Sequence, residues 1–129
     1  DLIKQDVMKK STKIIAAIVI LVLAVLFFTR NKEVEAGKYD EFAKCITDAG
    51  AVFYGSFQCV HCNTQKELFG NSIQYVNYVE CGPLGGPQTL TCQQAGINSY
   101  PTWDVSGARY SSVQQLARLA ELTKCQLPQ

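Results

Sequence analysis

The sequence predicts an α/β domain with one extra helix before its first strand, preceded by a single apolar segment near the N-terminus. Two observations support this class. Runs of β-branched and aromatic residues alternate with runs whose apolar residues recur at helical spacing, and glycine or proline separates many of them. In order from residue 51, the elements are β-α-β-α-β-β-α, an alternation typical of α/β folds.

The apolar segment, residues 14–28, reads IIAAIVILVLAVLFF without interruption. As a helix it would span roughly 22 Å, against a hydrocarbon layer of roughly 30 Å. Neighbouring serine and threonine residues can lengthen it, and Lys13 and Arg30 can extend their charges to the two interfaces. We therefore predict a single transmembrane helix at residues 14–29, between a basic segment at 1–13 and a linker at 30–37.

Two other interpretations of this segment remain open. Val34-Glu35-Ala36 resembles a signal-peptide cleavage site, although it lies eight residues beyond the apolar run. A buried core helix is the other, but a segment that is apolar all round suits lipid better. Met8 looks like a natural start, which would place residues 1–7 upstream of it.

The charges are distributed unevenly along the chain. Residues 1–32 carry a net charge of +4 and residues 33–129 a net charge of −3. Because more lysines precede the apolar segment than follow it, we expect a cytoplasmic N-terminus and an extracytoplasmic domain in the periplasm, a lumen or the cell exterior. The folded part is mildly acidic, so nothing suggests nucleic-acid binding.

The cysteine content also favours export. Six cysteines in 129 residues are many, and an even number in an exported protein indicates disulfides. A cytosolic protein rarely keeps so many unless they bind metal.

The helix before the first strand is predicted at residues 39–49, because its apolar residues share one face, and Gly50 ends it. The other predicted elements are strands at 51–56 and 73–81, helices at 62–69 and 89–95, a hairpin of 100–105 with 108–110, and a last helix capped by Ser111 or Ser112 with Val113, Leu116, Leu119, Ala120 and Thr123 on its buried face. The sequence between 82 and 87, rich in glycine and proline, is predicted as a loop.

Cys59 and Cys62 form a CxxC motif at the junction between the first strand and the next helix. The N-terminus of a helix carries partial positive charge and unpaired N–H groups, which stabilise a thiolate. The thiolate is the species that attacks a disulfide. We therefore predict a redox-active dithiol. A static disulfide or half of a zinc site are the structural alternatives.

Several motifs together resemble a known family. The CxxC after the first strand, Tyr100-Pro101-Thr102 before the third strand and the element order resemble the thioredoxin fold, over about residues 38–129. More narrowly, FAKC, GAVFYGSFQCVHCNTQKELFG, YVEC, CQQAGI, YPTW and RYSSVQQLARLAEL are similar to the thioredoxin-like domain fused to, or partnering, bacterial and plant vitamin K epoxide reductase (VKOR) homologues. The four-helix reductase domain has no counterpart here, and one short apolar segment takes its place.

The resemblance implies a role for each residue of the motif. Cys59 would be the exposed attacking thiolate and Cys62 the buried resolving thiol. His61 could donate a hydrogen bond to the Cys59 sulfur, as expected of a CxHC motif resembling that of DsbA-type oxidants. Val60 departs from the proline usual in those oxidants, and Phe53 stands where thioredoxins keep a buried carboxylate. Proton transfer to Cys62 would then depend on water or another group.

The resemblance also implies a substrate groove beside the dithiol. Pro101 resembles the family's cis-proline, which presents backbone to an extended substrate peptide, and Tyr100 would form part of the same binding surface. An ordinary trans proline at the start of a strand is the alternative. Trp103 belongs to the core or the groove wall.

The remaining four cysteines allow three pairings. Cys81 ends a strand and Cys92 lies in the next helix, so a disulfide between them would be a short closure. A bridge between Cys45 and Cys125 would fasten both ends of the domain and stabilise it by roughly 4 kcal/mol in the chain-entropy model. We prefer these two pairs, and the resemblance supports both. A Cys₄ zinc site of Cys59, Cys62, Cys81 and Cys92 is a weaker alternative that leaves Cys45 and Cys125 unexplained.

The function implied is a membrane-anchored thiol–disulfide oxidoreductase that promotes disulfide bond formation in exported proteins and needs no bound cofactor. A membrane redox partner, VKOR-like or otherwise linked to quinone, would reoxidise the dithiol. A reductase or isomerase, for example in cytochrome maturation, shares the same motifs. A redox-inert module that binds peptides near Pro101 is the alternative from another class.

Overall fold

The structure is a computed structural model that describes residues 1–30 and 36–129, with the side chains of all of these except 28–30. It divides into two compact units, residues 1–34 and 35–129. The helices are α1 (Leu2–Arg30), α2 (Asp40–Asp48), α3 (Val60–Phe69), α4 (Leu90–Gln94) and α5 (Leu116–Thr123). The strands are β1 (Ala51–Gly55), β2 (Tyr78–Glu80), β3 (Thr102–Val105) and β4 (Ala108–Ser111).

The first unit is the single helix α1. Its stretch Leu2–Phe27 contains an 18-residue window with a mean hydropathy of 2.3, none of it buried within the structure. The helix includes the basic residues before the predicted segment, since residues 2–30 contain no glycine or proline to interrupt it. Such a helix is compatible with a membrane anchor or a signal sequence. The predicted linker and the candidate cleavage site lie mostly at residues 31–35, outside the described residues.

The second unit is built on a four-stranded sheet with the strand order β2-β1-β3-β4. β1 pairs parallel with β2 and antiparallel with β3, and β3 pairs antiparallel with β4. The predicted α/β class is confirmed, and the elements follow one another from β1 in the predicted order. The parallel pair directs the end of β1 and the end of β2 to the same edge of the sheet.

Aromatic rings fill the core around the central strands. Phe53 of β1 stacks on Trp103 of β3 with ring centroids 5.0 Å apart and meets Tyr78 of β2 edge-on at 5.0 Å. Phe69, from α3, packs against Trp103 at 6.1 Å and against Phe42 of α2 at 6.2 Å. Phe53 is fully buried. The sheet and both helices are therefore joined through one aromatic cluster.

The first half of the predicted strand at 73–81 is wrong. Gly70, with φ of +55°, ends α3, and Gly70–Tyr75 forms a 3₁₀ helix. Ser72 is buried in this helix, and its hydroxyl accepts a hydrogen bond from the Tyr39 N–H at 2.9 Å. The β-branched and aromatic residues here thus pack from a helical turn, and only Tyr78–Glu80 pairs as a strand.

The predicted start of the last helix is also wrong. Ser111 belongs to β4, and Ser112, with φ of +75°, donates its N–H to the Pro101 carbonyl at 2.9 Å. Neither serine caps a helix, since Ser111 pairs within the sheet and Ser112 bonds to the backbone before β3; the N-cap residue of α5 is Gln115. Val113 consequently lies before α5, which begins at Leu116.

Candidate active site

The CxxC motif lies at the N-terminus of α3. Cys59 is the N-cap residue, and its sulfur accepts a hydrogen bond from the Cys62 backbone N–H at 3.3 Å. The helix begins at Val60, two residues before the predicted start, so both sulfurs lie in its first turn. A backbone N–H and the positive end of a helix both stabilise negative charge on the Cys59 sulfur.

Cys62 is the deeper of the two sulfurs. Cys62 is fully buried, as predicted. Cys59, which was predicted to be exposed, is also buried and retains only 7% of its surface exposed, because the Tyr100 carbonyl lies against its sulfur. A Cβ built on Gly55 would lie only 3.0 Å from Cys62 Sγ, so the absence of a side chain on Gly55 makes room for this sulfur. Burial, followed by the hydrogen bond with Cys59, raises the pKa of the Cys62 thiol to about 12. When reduced, Cys62 therefore remains a protonated thiol at neutral pH.

Tyr100 and Pro101 face the dithiol from the other side. The peptide bond between them is cis, and Cys59 Sγ lies 3.8 Å from the Tyr100 carbonyl oxygen. A cleft of about 280 Å³ next to them is lined by His61, Tyr100, Pro101, Ser112 and Val113. Ser112 was predicted as a possible helix cap and Val113 as a helix residue, so no feature of the sequence indicated their place in the cleft.

His61 lies at the cleft and is exposed. Among the hydrogen bonds of the described residues, the one to Cys59 Sγ comes from the Cys62 backbone N–H and none comes from His61. The predicted role of His61 remains a prediction. Phe53, six residues before Cys59, is an aromatic core residue, so β1 supplies no carboxylate behind the dithiol.

The segment 81–92, which we call the stapled loop, contacts the residues just before Cys59. The Ser56 hydroxyl donates to the Gly82 carbonyl at 2.6 Å, and the Leu84 N–H donates to Gln58 Oε1 at 2.9 Å. The Gln88 side-chain amide donates to the Tyr100 hydroxyl on the other side of the site. Composition predicted a loop here, but nothing in the spacing of its residues indicated these contacts.

Two disulfides flank the site. Cys81–Cys92 closes the stapled loop, with Cα atoms 5.5 Å apart, and Cys45–Cys125 joins α2 to the residues after α5, with Cα atoms 5.9 Å apart. These are the pairs preferred from the sequence. Because Cys81 and Cys92 bond to each other, they supply no thiolates to a Cys₄ zinc site. Cys59 and Cys62 are the two free cysteines.

The fold and the site together define an α/β protein with a free dithiol at a helix N-terminus, facing a backbone carbonyl. No family model matches the chain. The chain is similar to Thiol-disulfide oxidoreductase LTO1 of Arabidopsis thaliana, with 42% identity over 92 residues, 67% of this chain and 24% of that protein. It thus spans about a quarter of the length of this relative. The similarity supports a thiol–disulfide oxidoreductase as the class of activity.

Proposed function

We propose that this protein is a membrane-anchored thiol–disulfide oxidoreductase of the thioredoxin fold that oxidises the dithiols of exported proteins. The observation that carries the proposal is the environment of Cys59, whose sulfur accepts the Cys62 N–H at the start of α3 and lies beside the Tyr100 carbonyl. A backbone donor and the N-terminus of a helix stabilise the negative charge that this sulfur carries when it leaves a mixed disulfide, and the adjacent cleft offers room for a peptide.

The reaction is a pair of thiol–disulfide exchanges. A substrate thiolate attacks Cys59 Sγ of the Cys59–Cys62 disulfide, a mixed disulfide forms, and the electron pair of the broken bond passes to Cys62 Sγ. A second substrate thiolate then attacks the substrate sulfur of the mixed disulfide and releases Cys59 as a thiolate. The substrate leaves with one disulfide, and the protein keeps the two electrons as a reduced dithiol.

The oxidising direction is supported by the contacts of Cys59. Groups that stabilise its thiolate stabilise the reduced state of the dithiol, and a more stable reduced state makes the disulfide a stronger oxidant. The Cys62 N–H and the N-terminus of α3 both act in this sense.

Location outside the cytoplasm is supported by the other four cysteines. They form two closed disulfides, which persist in oxidising compartments and are rare in the cytosol. The apolar helix α1 would anchor the chain, with the N-terminus in the cytoplasm as the lysines before it favour.

Continued turnover requires an electron acceptor. The Cys59 thiolate would attack a disulfide of a membrane protein linked to quinone, of the VKOR-like kind that the sequence motifs suggest. The Cys62 thiolate would then attack Cys59 Sγ of the mixed disulfide, so that the partner leaves as a reduced dithiol with the two electrons. The proposal assigns no bound cofactor to this chain, because the two sulfurs carry the electrons themselves.

The direction is tested by the reduction potential of the Cys59–Cys62 pair. The full chain in detergent is equilibrated with glutathione buffers, and the fraction of reduced dithiol is measured by alkylation and mass spectrometry. We expect a value well above the about −270 mV of thioredoxin, toward the about −120 mV of DsbA. A value at or below that of thioredoxin would contradict the oxidase and favour a reductase.

A second experiment separates catalysis from inert peptide binding. Cys62→Ala removes the resolving sulfur, so substrate proteins should accumulate as mixed disulfides on Cys59 when the variant is expressed in cells. The matched control is the double variant Cys59→Ala/Cys62→Ala, which should capture none. If non-reducing electrophoresis shows the same proteins bound to both variants, the redox function is refuted.

A further inference from the structure

Three side chains form a cluster on the sheet side of α3, and the exchange reaction does not use them directly. The Tyr78 hydroxyl donates a hydrogen bond of 2.6 Å to Glu80 Oε2. Lys66 Nζ lies 3.9 Å from the centroid of the Tyr78 ring. The tyrosine hydroxyl is thus hydrogen-bonded to a carboxylate, and the face of its ring makes a cation–π contact with an ammonium group.

This cluster lies next to the buried sulfur of Cys62. A Cβ built on Gly55 would lie 3.0 Å from Cys62 Sγ and also 3.0 Å from Tyr78 Cε2. Cys62 Sγ and this atom of the ring are therefore at most about 6 Å apart. Lys66 follows Cys62 by four residues on α3, so both side chains share one face of the helix. The ammonium group therefore lies on the face of the Tyr78 ring, and the sulfur lies near an edge of the same ring.

The negative charge of the cluster, on Glu80, is stabilised by hydrogen bonds. Besides the Tyr78 hydroxyl, Glu80 accepts the backbone N–H groups of Phe57 at 3.1 Å and Gly82 at 2.9 Å. In the part of the chain whose side chains are described, no carboxylate lies within ion-pair distance of Lys66. Three hydrogen-bond donors thereby stabilise the negative charge of Glu80. The ammonium group of Lys66 is half-buried and lies on the face of α3 that also carries Cys62.

We propose that Lys66, fixed on the face of Tyr78, is the cation that stabilises the Cys62 thiolate as the Cys59–Cys62 bond breaks. The proposal rests on the proposed function and adds to it a residue that acts on the leaving sulfur through space. When a substrate thiolate bonds to Cys59 Sγ, its negative charge disappears and an equal charge develops on Cys62 Sγ. The thiolate is later protonated by water.

The need for such a cation follows from the burial of Cys62. Burial of Cys62 favours the neutral thiol strongly, so the charged leaving group is costly to form there. A nearby positive charge lowers that cost, and a leaving thiol that is less basic leaves faster. Of the charged groups around the sulfur, Glu80 has the wrong sign, whereas Lys66 has the right one.

The test measures how fast the disulfide opens. The full chain in detergent, with Cys59–Cys62 oxidised and the other two disulfides intact, is mixed at fixed pH with β-mercaptoethanol, whose thiolate is the attacking species and which carries no other charged group. Acid quenching, alkylation and mass spectrometry give the rate. We expect Lys66→Met to open roughly threefold to tenfold more slowly than wild type. Lys66→Arg, which also stacks on aromatic rings, should remain within about twofold of wild type.

The controls distinguish an electrostatic role from a structural one. Lys44→Met removes an exposed lysine that pairs with Glu41 on α2 and should leave the rate unchanged. Because Cys62 is fully buried and Lys66 is half-buried, added salt screens this pair much less than it screens exposed charges. The ratio of the wild-type rate to the Lys66→Met rate should therefore persist in salt, whereas a ratio that disappeared would indicate steering of the attacking thiolate at the surface. Lys66→Gln repeats the neutral substitution with a polar side chain, in case the methionine variant does not fold.

Two results would overturn the proposal: opening of the neutral variants at the wild-type rate, or opening of Lys66→Arg as slow as that of Lys66→Met. A different result would refute the proposed function instead. If the wild-type disulfide failed to open with β-mercaptoethanol, the dithiol would not be redox-active, whatever the effect of Lys66.

Discussion

The carboxylate of Glu80 connects two parts of the chain that are far apart in sequence. It accepts the N–H of Phe57, just before the dithiol, and the N–H of Gly82, in the stapled loop. Burial by itself would raise the pKa of Glu80, but the hydrogen bond from Tyr78, the two N–H groups and nearby Lys66 outweigh it and lower the pKa. The ionised form is therefore the one that the folded state favours.

This preference makes stability depend on pH in a defined direction. Because the folded pKa lies below the unfolded value of 4.5, the contribution of Glu80 is complete above about pH 4.5 and is lost as the pH falls through the folded pKa. We expect Glu80→Gln to lower the free energy of unfolding by about 1 kcal/mol at pH 7, after allowing for solvent screening. The measurement is urea unfolding of both proteins at a series of pH values from about 3 to about 7.

The control for this prediction is Glu67→Gln, which neutralises an exposed glutamate on α3. The difference between wild type and Glu80→Gln should shrink at the acid end of the series, whereas the control should follow wild type throughout. A difference that stayed constant down to the lowest pH would show that the ionisation of Glu80 does not contribute.

At the scale of the elements, Gln65 links α3 to the sheet and to the chain before α5. Its Oε1 accepts the Trp103 indole N–H at 3.0 Å and the Gln114 backbone N–H at 2.7 Å, and its amide donates to the Gln114 carbonyl at 3.0 Å. Gln65 is fully buried. The helix that carries the dithiol is thus fixed by a polar side chain inside an aromatic core.

Replacing Gln65 with leucine should destabilise the protein strongly. The substitution keeps an apolar side chain of similar size but leaves the Trp103 indole N–H and two backbone groups without partners. We expect a loss of about 3 kcal/mol, measured by urea unfolding. Gln74→Leu, at an exposed glutamine bonded to a single carbonyl, should change the stability by less than about 0.5 kcal/mol. Equal losses in the two variants would refute this role.

The sequence predicted the elements better than their ends. Alternating runs indicated the strands that form the sheet, because burial on one or both faces leaves a direct pattern in the residues. The pattern around Ile73 was misread, since a 3₁₀ turn whose Ser72 bonds to a distant backbone group leaves no such periodicity. Ser112 was misread as a helix cap because its partner, the Pro101 carbonyl, is remote in the chain.

The candidate site shows the same division. The CxxC motif and Pro101 could be found from the sequence because their chemistry depends on residue type and short spacing. The Lys66, Tyr78 and Glu80 cluster could not, since its members come from α3 and β2 and meet only after the sheet has formed. Residue identity indicated the reaction, whereas tertiary contacts determine its surroundings.

For the whole molecule, the membrane anchoring proposed for α1 would decide where the second unit can act. Arginine near the centre of a membrane-spanning helix costs about 2.5–3.5 kcal/mol. The double variant Ile18→Arg/Val22→Arg should therefore lose about 6 kcal/mol of insertion energy and pass into the soluble fraction after alkaline carbonate extraction of cells, while wild type stays with the membranes. Ile3→Arg, near the start of the helix, is the control that should remain membrane-bound.

If the wild-type chain were recovered in the soluble fraction with residues 1–30 removed, α1 would be a cleaved signal sequence and not an anchor. Intact mass determination on the same samples identifies this outcome. Removal of α1 would leave the dithiol site intact, because the second unit has its own sheet and core.

The bridge between Cys45 and Cys125 has a consequence for biogenesis. A ribosome delivers the cysteines in chain order, so the bond that encloses the other two pairs is the last that can close. With a sequence separation of 80, synthesis at about 5–20 residues per second leaves Cys45 without its partner for roughly 4 to 16 s. Once Cys59 and Cys62 have been synthesised, the nascent chain holds an unpaired Cys45 together with its own reactive pair. A protein with the proposed function of forming disulfides in other proteins must thus first avoid a wrong one in itself.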